Sequence, residues 1–149
     1  MTQTMRQISL RLSREVGRPA SEVWAVVADY DNDPLWRAGV ATMAPDPSGV
    51  VGVGTTTREV MRFAGQTYRN GGVVTSVDLG RAFTWRTTSG IDAEGGRSVE
   101  PVDARSCVFT FHVRIRPRSA ERWFAPLLRW MLVRAIRADI RRLERLARD

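Results

Sequence analysis

Residues 106–116 read SCVFTFHVRIR, and residues 124–147 read FAPLLRWMLVRAIRADIRRLERLA. In the first stretch Cys107, Phe109, Phe111, Val113 and Ile115 alternate with Val108, Thr110, His112, Arg114 and Arg116, the period of a half-buried strand. The charged set must face water, so the apolar set faces a core and His112 points outside. In the second stretch Phe124, Leu128, Met131, Leu132, Ala135, Ile136, Leu143 and Ala147 fall on one side at about 100° per residue, which predicts one long amphipathic helix. Pro126 is either the first residue of that helix or a kink after a short opening turn. A one-faced strand followed by a one-faced helix requires a sheet to which both belong.

The chain upstream supplies it. Candidate strands are Val40 to Ala44, Thr55 to Phe63, Thr67 to Val77, Ala82 to Thr88 and Arg97 to Val102. Turns fall at Pro45 to Gly49, Ala64-Gly65, Asp78 to Arg81, Gly90 to Gly96 and Asp103 to Arg105. Short turns make neighbouring strands antiparallel, and nothing between them is long enough for a parallel crossover. Further upstream Ile8, Leu10 and Leu12 alternate with polar residues in a first strand. Pro19 then suits the first turn of a short helix carrying Val23, Trp24, Val27 and Ala28. A second short helix spans Asp33-Pro34-Leu35-Trp36-Arg37, with Asp33 as its cap and Pro34 in its first position. The expectation is one α+β domain over residues 1–149: a strongly curved antiparallel sheet of about seven strands wrapped around the C-terminal helix, with two short helices after the first strand.

Composition narrows the function. Among 149 residues there are 23 arginines, no lysine and 16 acids, a formal charge of +7. One cysteine and one histidine exclude a disulfide framework, a Cys-rich zinc site and a two-His metal motif, and they count against a Ser-His-Asp triad. No metal or cofactor is expected. No apolar run approaches the ~18 residues of a membrane span, and the polar N-terminus does not read as a signal peptide, so a cytoplasmic domain is expected. Arginine without lysine reads either as codon bias or as a basic surface for phosphate or anionic lipid.

The stretch Glu15-Val16-Gly17-Arg18-Pro19-Ala20-Ser21-Glu22-Val23-Trp24 resembles the opening signature of the SRPBCC superfamily. That is the helix-grip group of START-like lipid carriers, polyketide cyclases/dehydrases and birch-allergen-like proteins. Asp33-Pro34-Leu35-Trp36, Gly52-Val53-Gly54-Thr55, Glu100-Pro101-Val102-Asp103 and Ala138-Asp139-Ile140-Arg141-Arg142-Leu143 agree with it, in order along nearly the whole chain. The resemblance implies an elongated apolar cavity between sheet and last helix that takes lipids, polyketides or other hydrophobic molecules. Gly52 and Gly54 precede a strand rather than a helix, so they do not read as a phosphate loop.

Strand phase then picks cavity candidates. Thr57, Glu59, Met61 and Phe63 share an inward face, as do Phe83, Trp85 and Thr87, and Phe109 and Phe111 join them from the last strand. Leu128, Met131 and Ala135 are the helix's contribution. The resemblance puts Trp24, Tyr30 and Trp36 at the cavity mouth; packing the short helices onto the sheet is the alternative. Glu59 is an exception, a carboxylate on an apolar face, which needs either a partner or a task. The partner reading is an ion pair, for instance with Arg14; the other is a ligand-orienting or general-base carboxylate. Tyr68 and Asn70 face inward too unless a bulge at Gly71-Gly72 reverses the phase. Asp139 interrupts the apolar helix stripe, which suggests a structural hydrogen bond or arginine pair.

The expected function is binding or transport of a small hydrophobic ligand. The alternative is an aromatase/cyclase-type enzyme using Glu59, Arg14 and Tyr68 for proton transfer. A further expectation concerns the back of the last helix, where Trp123, Trp130 and Val133 precede Arg134, Arg137, Arg141 and Arg148. From Arg118 to Asp149 nine arginines face four acids. That face suggests a homodimer contact in preference to a membrane surface. No recognition motif accompanies it, so nucleic acid is not expected.

Overall fold

Alternation and turn chemistry yield seven strands: β1 (Ile8–Val16), β2 (Val40–Asp46), β3 (Thr56–Phe63), β4 (Gln66–Asp78), β5 (Ala82–Ser89), β6 (Asp92–Asp103) and β7 (Ser106–Arg116). The computed structural model describes residues 7–118 and 121–148, without the side chains at 121, 122 and 148. All seven strands pair antiparallel in one sheet, ordered β1-β7-β6-β5-β4-β3-β2. β1 and β2 therefore lie on opposite edges. The connection between them, helices α1 (Ala20–Val27) and α2 (Asp33–Trp36) with a 3-10 turn at Tyr30–Asn32, must cross one face of the sheet. The long helix α3 (Ala125–Arg148) lies on that same face, against β1, α1 and α2. This is the helix-grip arrangement.

The core forms where these layers meet. Cys107, Phe109, Phe111 and Val113 of β7 are buried, as are Ile136, Ile140, Leu143 and Ala147 of α3. Each large side chain so buried contributes roughly 1.5–3 kcal/mol. Trp24 and Tyr30 stand edge-on to Phe83 with ring centroids 6.2 and 5.7 Å away, and Trp36 stands edge-on to Phe109 at 6.0 Å. These T-shaped pairs fix the short helices to the sheet. Pro126 sits in the first turn of α3 after a 3-10 turn (Glu121–Phe124), where a missing N–H costs nothing.

The structure departs from the sequence reading at β6, at Asp33, and at Phe124 and Val133 near the start and middle of α3. β6 begins at Asp92, not Arg97, because Gly95 and Gly96 are strand residues rather than a turn. A Cβ on Gly95 would stand 2.9 Å from the Trp85 ring, its cross-strand neighbour, and 2.3 Å from the His112 carbonyl oxygen. The glycine is there to let the indole lie against the strand. Asp33 does not cap α2: Asn32 stands in the cap position, and the Asp33 side chain turns fully into the core. Phe124 is exposed rather than part of the buried stripe, because it precedes α3 proper, whereas Val133 packs partly against the core. His112 lies on the outer face, as its strand phase requires, half-buried over Gly96, where desolvation and then Arg11 and Arg114 lower its pKa.

Candidate functional site

Between α3 and the concave face of the sheet lies a cavity of about 500 Å³. Met61, Phe63, Trp85, Phe111, Val113 and Ile115 line its sheet side, Met131, Leu132, Ala135 and Ile136 its helix side, and Trp36 its floor near α2. The volume suits a drug-sized molecule and the lining is mainly apolar. A smaller recess continues past Glu59, Asn70, Trp85 and Thr87 toward Tyr30, Thr57 and Arg97. By contrast, an open groove on the outer face is walled by the charged or polar residues Arg11, Thr84, Arg86, Glu94, His112 and Arg114, with Leu10, Trp85 and Val113 between them.

The inner end of the cavity is polar, and its chemistry is a ladder of alternating charges. Arg97, 2% exposed, donates from Nη1 to Asp33 Oδ1 at 2.9 Å and from Nη2 to Asp33 Oδ2 at 2.7 Å. Asp33 Oδ2 also accepts from Arg37 Nη1 at 2.9 Å, and the same Arg37 nitrogen donates to Glu59 Oε2 at 3.2 Å. Glu59 Oε1 accepts from Asn70 Nδ2 at 3.1 Å, while Asn70 Oδ1 accepts the Ile91 backbone N–H at 2.9 Å. That last bond fixes which end of the Asn70 amide faces Glu59.

Each rung has a local cause. Asp33 and Arg37 are four residues apart and meet along α2. Glu59 and Asn70 are directly opposite in the β3–β4 register, so their side chains share a face. The register shift at Gly71/Gly72 falls after Asn70 and leaves its phase intact. Arg97 is in phase with buried Val99 and is caged by aromatics, its guanidinium carbon 4.9 Å from the Tyr30 ring centroid, 5.0 Å from Trp36, 5.6 Å from Phe83 and 6.0 Å from Phe111. Such stacking offsets part of the cost of burying a cation.

Electrostatics follow from this packing. Burial by itself weakens the hold of the Arg37 guanidinium on its proton, but Glu59 and Asp33 outweigh it and raise the pKa above its ordinary value. Burial pushes the Tyr30 phenol well above its usual range against the opposing pull of Arg97, so the hydroxyl stays protonated. Asp139 lines the cavity from α3, accepts the Ala38 backbone N–H at 3.1 Å and pairs with Arg142 at 2.7 Å. Desolvation raises its pKa despite the Ala38 amide, Arg37 and Arg142.

The cavity brings together Trp36, Glu59, Met61, Phe63, Trp85, Phe111, Met131 and Ala135 of the expected residues. Thr57 and Tyr30 reach only the recess. Trp24, Phe83 and Phe109 are core, and Leu128 packs beside the core without lining the cavity. Arg14 lies outside: it is 47% exposed and its Nε pairs with Glu144 of α3 at 2.6 Å. The partner of Glu59 is Arg37 instead. Tyr68, opposite Met61, is half-exposed and does not line the cavity. Sequence reasoning missed Arg37 and Arg97, although the four-residue spacing from Asp33 and the phase of Val99 were signals for them. Among the described residues no group of His, Cys, Asp and Glu forms a metal site.

A family model described as polyketide cyclase / dehydrase and lipid transport matches residues 7–148. No curated protein matches the chain by sequence. Among solved structures, it is similar to the Zhui aromatase/cyclase from a Streptomyces species, with 15% identity, a TM-score of 0.79 and coverage of 95% of this chain and 94% of that one. A protein from Thermus thermophilus is similar at 14% identity and a TM-score of 0.80, covering 93% and 96%. A START superfamily protein from Mycobacterium smegmatis is similar at 14% identity and a TM-score of 0.75, covering 94% and 97%. These structural likenesses concern the fold alone, whereas the family model spans nearly every residue of the sheet, the short helices and α3: the chain belongs to the polyketide cyclase/dehydrase and lipid-transport family.

Proposed function

We propose that this protein binds a small, mainly hydrophobic molecule that carries a neutral polar group, a hydroxyl or carbonyl, at its buried end. The observation that carries this reading is the balanced ladder at the end of an apolar cavity. Asp33 and Glu59 alternate with Arg97 and Arg37, two anions against two cations, so the polar end offers hydrogen-bonding dipoles with no surplus charge. An anionic ligand would displace Glu59 from Arg37 and leave a carboxylate unpaired in a desolvated site, which is costly.

The test is fluorescence titration of the purified protein with 1-naphthol and with 1-naphthoate. Trp36 and Trp85 on the cavity wall report occupancy. Naphthol should bind about tenfold or more tightly than naphthoate, and Glu59→Gln should weaken naphthol while narrowing that preference. Equal or tighter naphthoate binding sinks the reading.

A second reading is favoured by one feature: Glu59 is a carboxylate fixed on both oxygens beside an apolar pocket, the placement a general base requires. An aromatase/cyclase of the kind named for the Streptomyces neighbour would use it to remove a proton during ring closure of a polyketide. Turnover of a poly-β-ketone thioester by the native protein, abolished in Glu59→Gln, would support it; an unreacted thioester with retained naphthol binding leaves the carrier.

A further inference from the structure

The two faces of α3 differ in chemistry. Toward the sheet go its buried apolar residues and both of its described acids, Asp139 on the Ala38 amide and Glu144 on Arg14. Away from the sheet, its start exposes Trp123 at 87%, Phe124 at 60%, Leu127 at 54% and Trp130 at 56%. Leu127, Trp130 and Arg134 recur at helical spacing, so they share one line. The Arg134 guanidinium carbon lies 5.1 Å from the Trp130 ring centroid, a cation held beside the indole. Arg137 and Arg141, seven residues on from Trp130 and Arg134, are exposed along the same line, whereas Arg129 turns its Nε to the Ser9 carbonyl of β1; the side chain of Arg148 lies outside those described.

We propose that this face docks on an anionic lipid surface, with Trp123, Phe124, Leu127 and Trp130 in the headgroup boundary and the arginines on the phosphates. Four large apolar side chains exposed together at one helix start are not a solvated face. Tryptophan favours the boundary between water and hydrocarbon, and guanidinium pairs with phosphate oxygens in a planar fork. Charge decides against a second copy. A two-fold contact would lay this face on itself, arginine against arginine. The acids that could answer them, Asp139 and Glu144, are turned to the sheet and already paired. A lipid surface supplies the missing negative charge. Met131 and Leu132, next to Trp130, line the cavity, so docking would set the lipid surface against the cavity's helix wall.

The experiment is co-sedimentation of the full chain with vesicles of phosphatidylcholine alone and of phosphatidylcholine with about a third phosphatidylglycerol. Anionic vesicles should bind about tenfold or more tightly, weakening as salt is raised, with a blue shift of tryptophan emission. Arg134→Gln should cost about fivefold. W123S/W130S should abolish binding while keeping the circular dichroism spectrum and the naphthol affinity of the native chain, since neither residue touches the cavity. Absent vesicle binding, equal binding to both lipid mixtures, or a dimer in sedimentation velocity that W123S/W130S dissolves would each overturn the proposal.

Discussion

Replacing Asp33 by asparagine tests the ladder at its centre. Asp33 is fully buried and accepts three charge-assisted bonds, from Arg97 Nη1 at 2.9 Å, Arg97 Nη2 at 2.7 Å and Arg37 Nη1 at 2.9 Å. An asparagine amide can accept at one position only, and its NH2 would then oppose the donors at the other. Two guanidiniums would then face one remaining carboxylate, that of Glu59, and Arg97 would keep its 2.9 Å bond to the Val27 carbonyl and at most one bond to the amide oxygen. Breaking a buried pair in this way costs about 3–5 kcal/mol, a fall in Tm on the order of 10 °C for a chain of this size. Arg97→Met should cost less, because Asp33 retains Arg37 and the aromatic cage can close on the thioether. D33N/R97M should be more stable than the sum of its parts by at least ~1.5 kcal/mol, because no buried charge is then left without a partner at that rung. Urea unfolding at constant m measures all three. A D33N loss below ~1 kcal/mol, or strictly additive losses, would refute the reasoning.

The other predictions concern the rest of the site. Gly90→Ala places a Cβ 2.3 Å from Asn70 Oδ1 at a φ of +83°, so it should cost about 2 kcal/mol or more and weaken naphthol binding by displacing Asn70 from Glu59; a neutral substitution would detach Asn70 from the site. Burial raises the Asp139 pKa, so folding favours its protonated form, and that contribution is present below the unfolded pKa near ~4 and lost as pH rises through the folded value. Asp139→Asn should therefore gain in Tm relative to the native chain as pH rises across that window, and the opposite slope in thermal melts would count against the assignment. Arg14→Gln removes a half-exposed pair remote from the cavity and should change naphthol affinity by less than twofold and stability by under about 1 kcal/mol, as titration and urea melts would show.

What could be read from the sequence depended on whether one periodicity ruled a segment. β7 was legible because only one of its faces is apolar, α3 because its sheet-side stripe recurs at helical spacing, and so were the antiparallel pairing of consecutive strands and the inward phase of Glu59. β6 was not, since Gly95 and Gly96 look like a turn until Trp85 and His112 are placed over them. Asp33 was misread for a related reason. An aspartate before a proline has the local signature of a helix cap, and only the arrival of Arg97 from a strand 64 residues away makes burial affordable. Arg14 was offered as the partner of Glu59 from strand phase, which says which side a residue faces but not how far along the sheet its neighbours stand. Asn70 shows the converse: a bulge at Gly71-Gly72 was foreseen, and its position after Asn70 decides that the amide meets Glu59.

Arginine without lysine takes on different meanings in different parts of the structure. At Arg97 a lysine would fail on geometry. One ammonium cannot give two parallel bonds to Asp33 and a third to Val27 while lying flat among Tyr30, Trp36, Phe83 and Phe111. At Arg37 one nitrogen serves two carboxylates, and their pull raises the pKa of the cation above its ordinary value, so this guanidinium keeps its charge. On the outer face of β6 and β7, Arg114 and Arg116 meet Glu94 and Asp92 in exposed pairs of small worth. A bias in composition explains those and predicts that lysine would replace them at no cost. It does not explain the first two, where the guanidinium's shape sets the polar end of the cavity, so Arg97→Lys should behave like a broken pair, not like a conservative change.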